Sequence, residues 1–371
     1  MSPGGGCVSP FEFASAANAL NNGLWHEFLI LEKDNHKSYR PPKNVPYYFM
    51  GNVEDFFKRA NQYDVLHINW WQREPVMTNL FKAAKESIRI PKIITCDVYP
   101  AGPEFRLSKD EIDFADLIVF DGKSAFDVYA DLDMTKKLFI VGGTNLEQYT
   151  QAKRTRRDKK FRIGRGATLT HWKMPENIVG LVEPILEAIP ESEFHLFGHG
   201  PLETKIRMDV AQSKYKNQIF LRGWVSNFPE EVANLDAYLY HLPNESFASS
   251  ELNLQGVMAA GIPIVARPSH GTQWMFEDRK DSLIAETYEV CVPLMIGLHN
   301  SPELRHEIAQ NSSQKAKSHF GVQVMLKAYN ELVYSKWQGN ASLKRSNAIL
   351  RFIRLSVWRL RLILSNRLVD F

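Results

Sequence analysis

The feature that most constrains this chain is a rhythm that runs twice. From Trp25 onward, short β-rich apolar runs alternate with longer stretches of helical period, the pattern of βα units that bury a parallel sheet under helices on both faces. In the first half the runs predict strands at 26–32, 64–69, 92–96, 117–120 and 138–141, with helices at 11–21, 53–61, 74–86 and 124–132. A Lys/Arg-dense segment at 153–162 interrupts the pattern without an apolar face, and the alternation then restarts. Strands are expected at 161–164, 194–197, 219–222, 237–240, 262–266 and 282–285. In the helix after the first of these, Ile178, Val182, Ile185 and Ile189 fall at steps of four, three and four, one apolar stripe laid against a sheet. A chain of 371 residues is long enough for two ordinary domains, and no period of 20–50 residues recurs. The basic segment is therefore read as the boundary. Residues 1–150 form an N-terminal Rossmann-like domain, 151–160 a solvated basic linker and 161–320 a second Rossmann-like domain. A helix at 321–338 and a basic tail at 339–371 follow.

The opening of the chain breaks the pattern. It starts Met1-Ser2-Pro3-Gly4-Gly5-Gly6, already at the turn that follows the first strand of a doubly wound domain. The central first strand is expected to be missing, either because the sequence starts late, at an internal methionine, or because the protein tolerates the loss. Composition closes other routes. With 44% hydrophobic and 23% charged residues the chain is neither disordered nor fibrous, and a net charge of +3 gives no general affinity for nucleic acid. Cys7, Cys96 and Cys291 are odd in number and far apart, which speaks against a disulfide framework or a zinc site and fits a reducing cytosol. No signal peptide and no run of about 18 uncharged apolar residues is present.

Candidate site residues gather where strands end. Gly5 and Gly6 precede a helix, where bare backbone lets a phosphate or sugar approach the helix amides, or where the terminus is simply flexible. The strand ending Gly164-Arg165-Gly166 places a guanidinium at the carboxyl edge of a parallel sheet, and Lys173 follows closely. Arg165 and Lys173 can approach one anion from two sides and neutralise a diphosphate leaving group without a metal, unless both are ordinary surface charges. Gly198-His199-Gly200-Pro201 forms another tight turn at the same edge. Glu245 and Glu251 precede a helix rich in small residues, where they can accept hydrogen bonds from sugar hydroxyls or serve the helix terminus itself. In the first half, His67 lies inside a strand and Trp70 at its end. Trp70 is either a stacking face for a pyranose or core, and His67 either a ligand contact or a satisfied buried histidine. Asp97, just past a strand, can act on an acceptor hydroxyl as general base.

The order of Gly164-Arg165, Lys173, Gly198-His199-Gly200-Pro201, Gly223, Glu245-Ser246-Phe247 and the run Met258-Ala-Ala-Gly-Ile-Pro-Ile-Val-Ala266 resembles the donor domain of the group 1 (family 4) nucleotide-sugar glycosyltransferases. The resemblance covers about 160 to 335 well. It reaches the first half in outline, through the Gly-rich turn, Asp64-Val-Leu-His67 and Val141-Gly-Gly-Thr-Asn145. It implies an α/β, GT-B architecture, with two Rossmann-like parallel-sheet domains facing across a cleft. It also implies a hexosyltransferase-type enzyme that needs no cofactor and no metal beyond its nucleoside diphosphate sugar. By that similarity Arg165 and Lys173 hold the pyrophosphate, and Gly198, Gly200 and Gly223 belong to the donor site, the residues after Gly223 flanking the nucleobase. Glu245 or Glu251 positions the donor hydroxyls, Asp97 is either an altered catalytic group or a mark of lost catalysis, and the last helix, 322–337, returns across the hinge. Two departures stand out. Where the family carries the second glutamate of its donor motif this chain has Gly256, and Asp97 stands where the family tends to carry a histidine. The expected reaction is transfer of a sugar to a hydroxyl acceptor, a saccharide or lipid-linked saccharide in cell-surface polysaccharide or glycolipid synthesis. The rivals are a GT-B nucleotide-sugar epimerase and a non-catalytic GT-B partner subunit.

The tail carries its own signal. Residues 341–371 hold seven basic residues against Asp370 alone, and Ile349, Ile353, Val357, Leu360 and Leu364 recur at helical steps. A basic amphipathic helix of this kind lays its apolar face into a headgroup region while arginines meet anionic lipid, or docks on the body of the protein or on a partner. Through residues 344–367 this predicts a cytoplasmic protein held peripherally on the inner membrane face, with no nucleic-acid partner.

Overall fold

The computed structural model describes residues 5–20, 24–30, 42–49, 53–70, 81, 83–338 and 350–356. The chain divides into two compact units, the first made of 2–143 with 322–371 and the second of 144–321. The division falls at 143/144, earlier than the expected 150. The basic segment 153–162 lies within the second unit, and its Arg154, Arg156, Lys160 and Arg162 are ion-paired there. Arg156 is ion-paired with Asp236 and donates to the carbonyl of Lys160 at 2.7 Å, while Arg162 and Lys160 both reach Glu193, at 3.0 and 2.5 Å.

In the first unit, strands β1 (Leu24–Ile30), β2 (Tyr47–Phe49), β3 (Val65–Trp70), β4 (Lys92–Cys96), β5 (Leu117–Phe120) and β6 (Lys137–Phe139) are all parallel. The β3 and β5 runs are buried along their whole described length, as continuous apolar runs in a sheet covered on both faces should be. The chain re-enters this unit at Val322. Val322, Met325, Leu326 and Tyr329 pack with Phe13, Ala17, Val65 and Ile93, and the helix loosens into a π-helical stretch at Tyr329–Tyr334.

In the second unit, β7 (Phe161–Gly166), β8 (Ser192–Phe197), β9 (Ile219–Gly223), β10 (Ala237–His241), β11 (Ile264–Arg267) and β12 (Leu283–Ile284) form a parallel sheet in the order β12-β11-β10-β7-β8-β9. The predicted stripe is real. Ile178, Val182 and Ile185 of the helix Ile178–Ala188, with Ile189 just after it, lie in the core beside Phe161, Ile163 and Phe194. Each such side chain contributes about 1.5–3 kcal/mol relative to exposure.

The largest departure from expectation is in the tail. Residues Leu350–Ser356 are a strand, β13, not part of a helix. It runs parallel to β1 from Leu24↔Leu350 to Ile30↔Ser356 and to β3 from Phe352↔Val65 to Ser356↔Asn69. The first sheet is therefore β2-β1-β13-β3-β4-β5-β6, and the end of the chain fills the central position that the opening leaves vacant. The run Leu350-Arg-Phe-Ile-Arg-Leu-Ser satisfies both periods, and a seven-residue apolar run does not separate them. Two unpaired sheet edges settle the choice, since each leaves a row of backbone donors and acceptors to be matched. The remainder of the expected amphipathic helix, 357–364, lies outside the described residues.

Candidate active site

In the second sheet β7 and β10 are neighbours, although β8 and β9 follow β7 in the chain. Connections leaving β7 and β10 run to opposite sides, and the carboxyl ends of the two strands open a crevice, the place where parallel α/β sheets bind ligands. Arg165 near the end of β7 and His241 at the end of β10 stand at this point.

Arg165 is 2% exposed. Its Nη2 donates to the carbonyl oxygen of Lys173 at 2.6 Å and to that of His241 at 3.3 Å, and the guanidinium carbon lies 5.0 Å from the Tyr240 ring centre. The sequence predicts that Arg165 and Lys173 approach one anion from two sides. The structure separates their tasks. Arg165 faces inward, ties the 168–173 loop to the end of β10 and places positive charge beneath the crevice. Lys173 is part-exposed, with its ammonium 5.4 Å from the Phe247 ring centre and ion-paired with Glu251.

Glu251 immediately precedes the helix Leu252–Ala259 in extended conformation, and its carboxylate makes no capping hydrogen bond to that helix. The helix start is held instead by Asn253, whose Nδ2 donates to the carbonyl of Gly166 at 2.9 Å. Glu245, the other candidate, stands exposed on the turn at 243–246, so Glu251 and not Glu245 meets Lys173.

The glycine turns hold the rim together. Gly198 N–H donates to Gly223 O at 2.7 Å, Ala167 N–H to Phe197 O at 3.0 Å and Leu169 N–H to His199 O at 2.9 Å. Gly198 sits at φ +125, and a β-carbon there would stand 1.9 Å from Ala167 O, so the neighbouring loop can approach only a glycine. Gly200 faces Leu169 O in the same manner, and Gly223 abuts the His199 ring.

Two features were not foreseen. His241 Nε2 lies 2.7 Å from Cys291 Sγ. Burial first, then Arg165 and Arg267, push the imidazole down to about 3, and burial pushes the Cys291 thiol up to about 12. Both are neutral near pH 7, so the pair is packing and not a thiolate–imidazolium nucleophile. Gly256, where the resemblance expects a glutamate, is covered by Tyr149: a β-carbon there would fall 2.3 Å from the ring. Neither contact carries a local sequence signal, because each depends on a partner far along the chain.

The first unit's candidates divide. Asp97 follows β4, half-buried, with its N–H directed at Trp70 O at 3.3 Å. Trp70 and His67 are core, not sugar contacts. Trp70 is 2% exposed, and its Nε1 donates to Glu111, whose other oxygen accepts from the Ser108 N–H in a capping box. His67 is fully buried against Thr95, which is bonded to Tyr329 at 2.8 Å. Gly5 and Gly6 open the helix Gly5–Ala19. Among the described residues no group of three or more His, Cys, Asp or Glu is placed to hold a metal ion, and no helix is long and apolar enough to cross a membrane.

A parallel α/β sheet of this kind binds ligands at its switch point, and comparison with known proteins shows what the chain is similar to. Residues 137–315 match the family described as Glycosyl transferases group 1, so this stretch is similar to the group 1 glycosyltransferases. No curated protein matches the chain in sequence. Solved structures share its GT-B fold. Anabaena HepE (Alr3699) in complex with UDP and glucose aligns at TM-score 0.73 and 14% identity over 90% of this chain and 97% of that one. A glycosyltransferase from Rickettsia africae ESF-5 aligns at 0.71 and 12% over 91% and 96%. Sucrose-phosphate synthase from Thermosynechococcus elongatus aligns at 0.68 and 11% over 88% and 92%.

Proposed function

We propose that the chain transfers a sugar from a nucleoside diphosphate sugar to a hydroxyl acceptor, with the donor diphosphate at Lys173. The observation that carries this reading is the part-exposed ammonium of Lys173, with buried Arg165 beside it, at the switch point of the second sheet. In the reaction the acceptor oxygen bonds to the anomeric carbon as its bond to the diphosphate oxygen breaks, and the hydroxyl proton leaves to a base or to the departing diphosphate. Lys173 stabilises the charge that grows on the leaving group, with no metal required. UDP is the first nucleotide to test, since HepE is known with UDP and with UDP-glucose.

A saccharide acceptor on a lipid, and a place on the inner membrane face, rest on the arginines beyond β13, namely Arg359, Arg361 and Arg367, which lie outside the described residues. Co-sedimentation of the full chain with anionic vesicles, and its loss at high salt, tests that extension.

The central test is a thermal-shift panel of UDP, GDP and ADP sugars on the full chain. At a hundred times its dissociation constant the correct donor stabilises by about 2.7 kcal/mol. Lys173→Ala abolishes most of that shift. A panel in which no nucleotide stabilises the protein, or a shift that survives Lys173→Ala, refutes the reading. Donor binding without turnover on a broad acceptor screen assigns the chain to a non-catalytic role, and formation of an epimeric sugar without acceptor assigns it to epimerase chemistry.

A further inference from the structure

We propose that Glu251 is an internal stand-in for the donor diphosphate: its carboxylate holds the Lys173 ammonium while the site is empty and has to leave before phosphate can take its place. The inference rests on the reading of Lys173 as the diphosphate cation, and it assigns Glu251 the opposite sign to a residue that recruits donor.

Four observations carry it. The ion pair joins groups whose side chains are 20% and 15% exposed, so it is neither freely hydrated nor sealed away. An ion pair in this intermediate environment is stronger than one in water, yet it can open without unfolding its surroundings. The Glu251 carboxylate gives no hydrogen bond to the helix it precedes, so helix capping does not account for its position. The helix start is secured independently by Asn253 on Gly166. Finally, the other cation of the site, Arg165, is 2% exposed with its Nη2 on the carbonyls of Lys173 and His241, which leaves the more exposed Lys173 as the charge over which a carboxylate and a diphosphate would compete. A diphosphate within hydrogen-bond reach of Nζ would stand within a few ångströms of the carboxylate already there, and two anions at that separation repel. Glu251 therefore swings aside on binding, and the cost of breaking its pair is subtracted from donor affinity.

The experiment is an isothermal titration of the full-length chain with inorganic pyrophosphate and with UDP, at fixed salt, for the wild type, Glu251→Gln, Lys173→Ala and the double variant. Glu251→Gln keeps shape and removes charge. It is expected to tighten both ligands about tenfold, and the gain is expected to vanish in the Lys173→Ala background, which identifies the pair as its source. Glu251→Asp, one methylene shorter, is expected to bind at an intermediate strength. Unchanged or weaker binding by Glu251→Gln, with an unaltered melting temperature, overturns the inference and makes Glu251 a donor contact; the Lys173 reading then survives provided Lys173→Ala still weakens UDP. If Lys173→Ala leaves UDP binding untouched, the reading of the site fails and this inference fails with it.

Discussion

The two sheets meet the same structural need by opposite routes. In the second unit the switch strand β7 opens the unit, and its partners β8 and β10 follow within the same stretch of chain. In the first unit the corresponding position is taken by β13, which pairs with β1 and β3 from the other end of the sequence. Contacts between distant segments bring their reward only after a long loop has closed, so such pairing forms late. The second unit is a self-contained element of chain, whereas the first is complete only when its last described strand arrives.

The largest effect that probes this difference is deletion of residues 339–371. The first unit would lose its central strand and expose the unpaired edges of β1 and β3, a loss that exceeds the about 5–15 kcal/mol by which a domain is stable. Calorimetry of the truncated chain is expected to show one transition, from the second unit, where the full chain shows two. Two intact transitions would mean that β13 is dispensable and that the contrast between the sheets is wrong.

The second unit has its own point of fragility. Arg165→Ala leaves the carbonyls of Lys173 and His241 without their buried donor, and is expected to cost about 3 kcal/mol or more of second-unit stability by denaturant titration. Lys173→Ala, which removes one part-exposed ion pair, should stay within about 1 kcal/mol. Equal costs would return Arg165 to the role of an exposed ligand contact.

Acid sharpens the comparison further. His241, with a folded pKa pushed down to about 3 from 6.5, takes up its proton first in the unfolded chain. The unfolded state then binds more protons below pH 6.5, so stability falls as pH drops through that value and goes on falling toward pH 3. The slope is about 1.4 kcal/mol per pH unit for one histidine. His195, also held down chiefly by burial, adds to it within the same unit. Between pH 6 and 4.5, above most carboxylates, His241→Gln is expected to flatten the slope of the second unit's transition by one proton. An unchanged slope would show that the imidazole titrates normally.

How much of this was written in the residues follows from the range of the forces involved. The strands at 117–120, 161–164 and 237–240 and the stripe from Ile178 to Ile189 were legible because alternation and helical period are local, and the Gly-Arg-Gly ending of β7 marked the sheet edge. Lys173 and Glu251 were both flagged as site residues, but their pairing was not, since nothing in a sequence says which of several charges will meet. Trp70 could be read as core or as a stacking face until Glu111, forty-one residues on, claimed its indole N–H. The strand at Leu350–Ser356 was hidden because its pattern fits a helix equally well, and only the vacancy between β1 and β3 decides between the two.

The smallest effect concerns the position at which this chain departs from the group 1 pattern. A methyl group at 256 would press on the Tyr149 ring, which is part-exposed and able to yield, so Gly256→Ala is expected to cost about 1–3 kcal/mol of second-unit stability. Tyr149→Ala creates the room, and the double variant Tyr149→Ala/Gly256→Ala should lose less than the sum of the two single changes. A carboxylate restored at 256 fits only in that relieved background. Gly256→Glu alone should fold poorly, and Tyr149→Ala/Gly256→Glu should recover the melting transition. Recovery would show that Tyr149 and the family's glutamate are alternative occupants of one space, so that this chain has exchanged a charged group beside its switch point for an aromatic one and leaves Lys173 facing Glu251 alone.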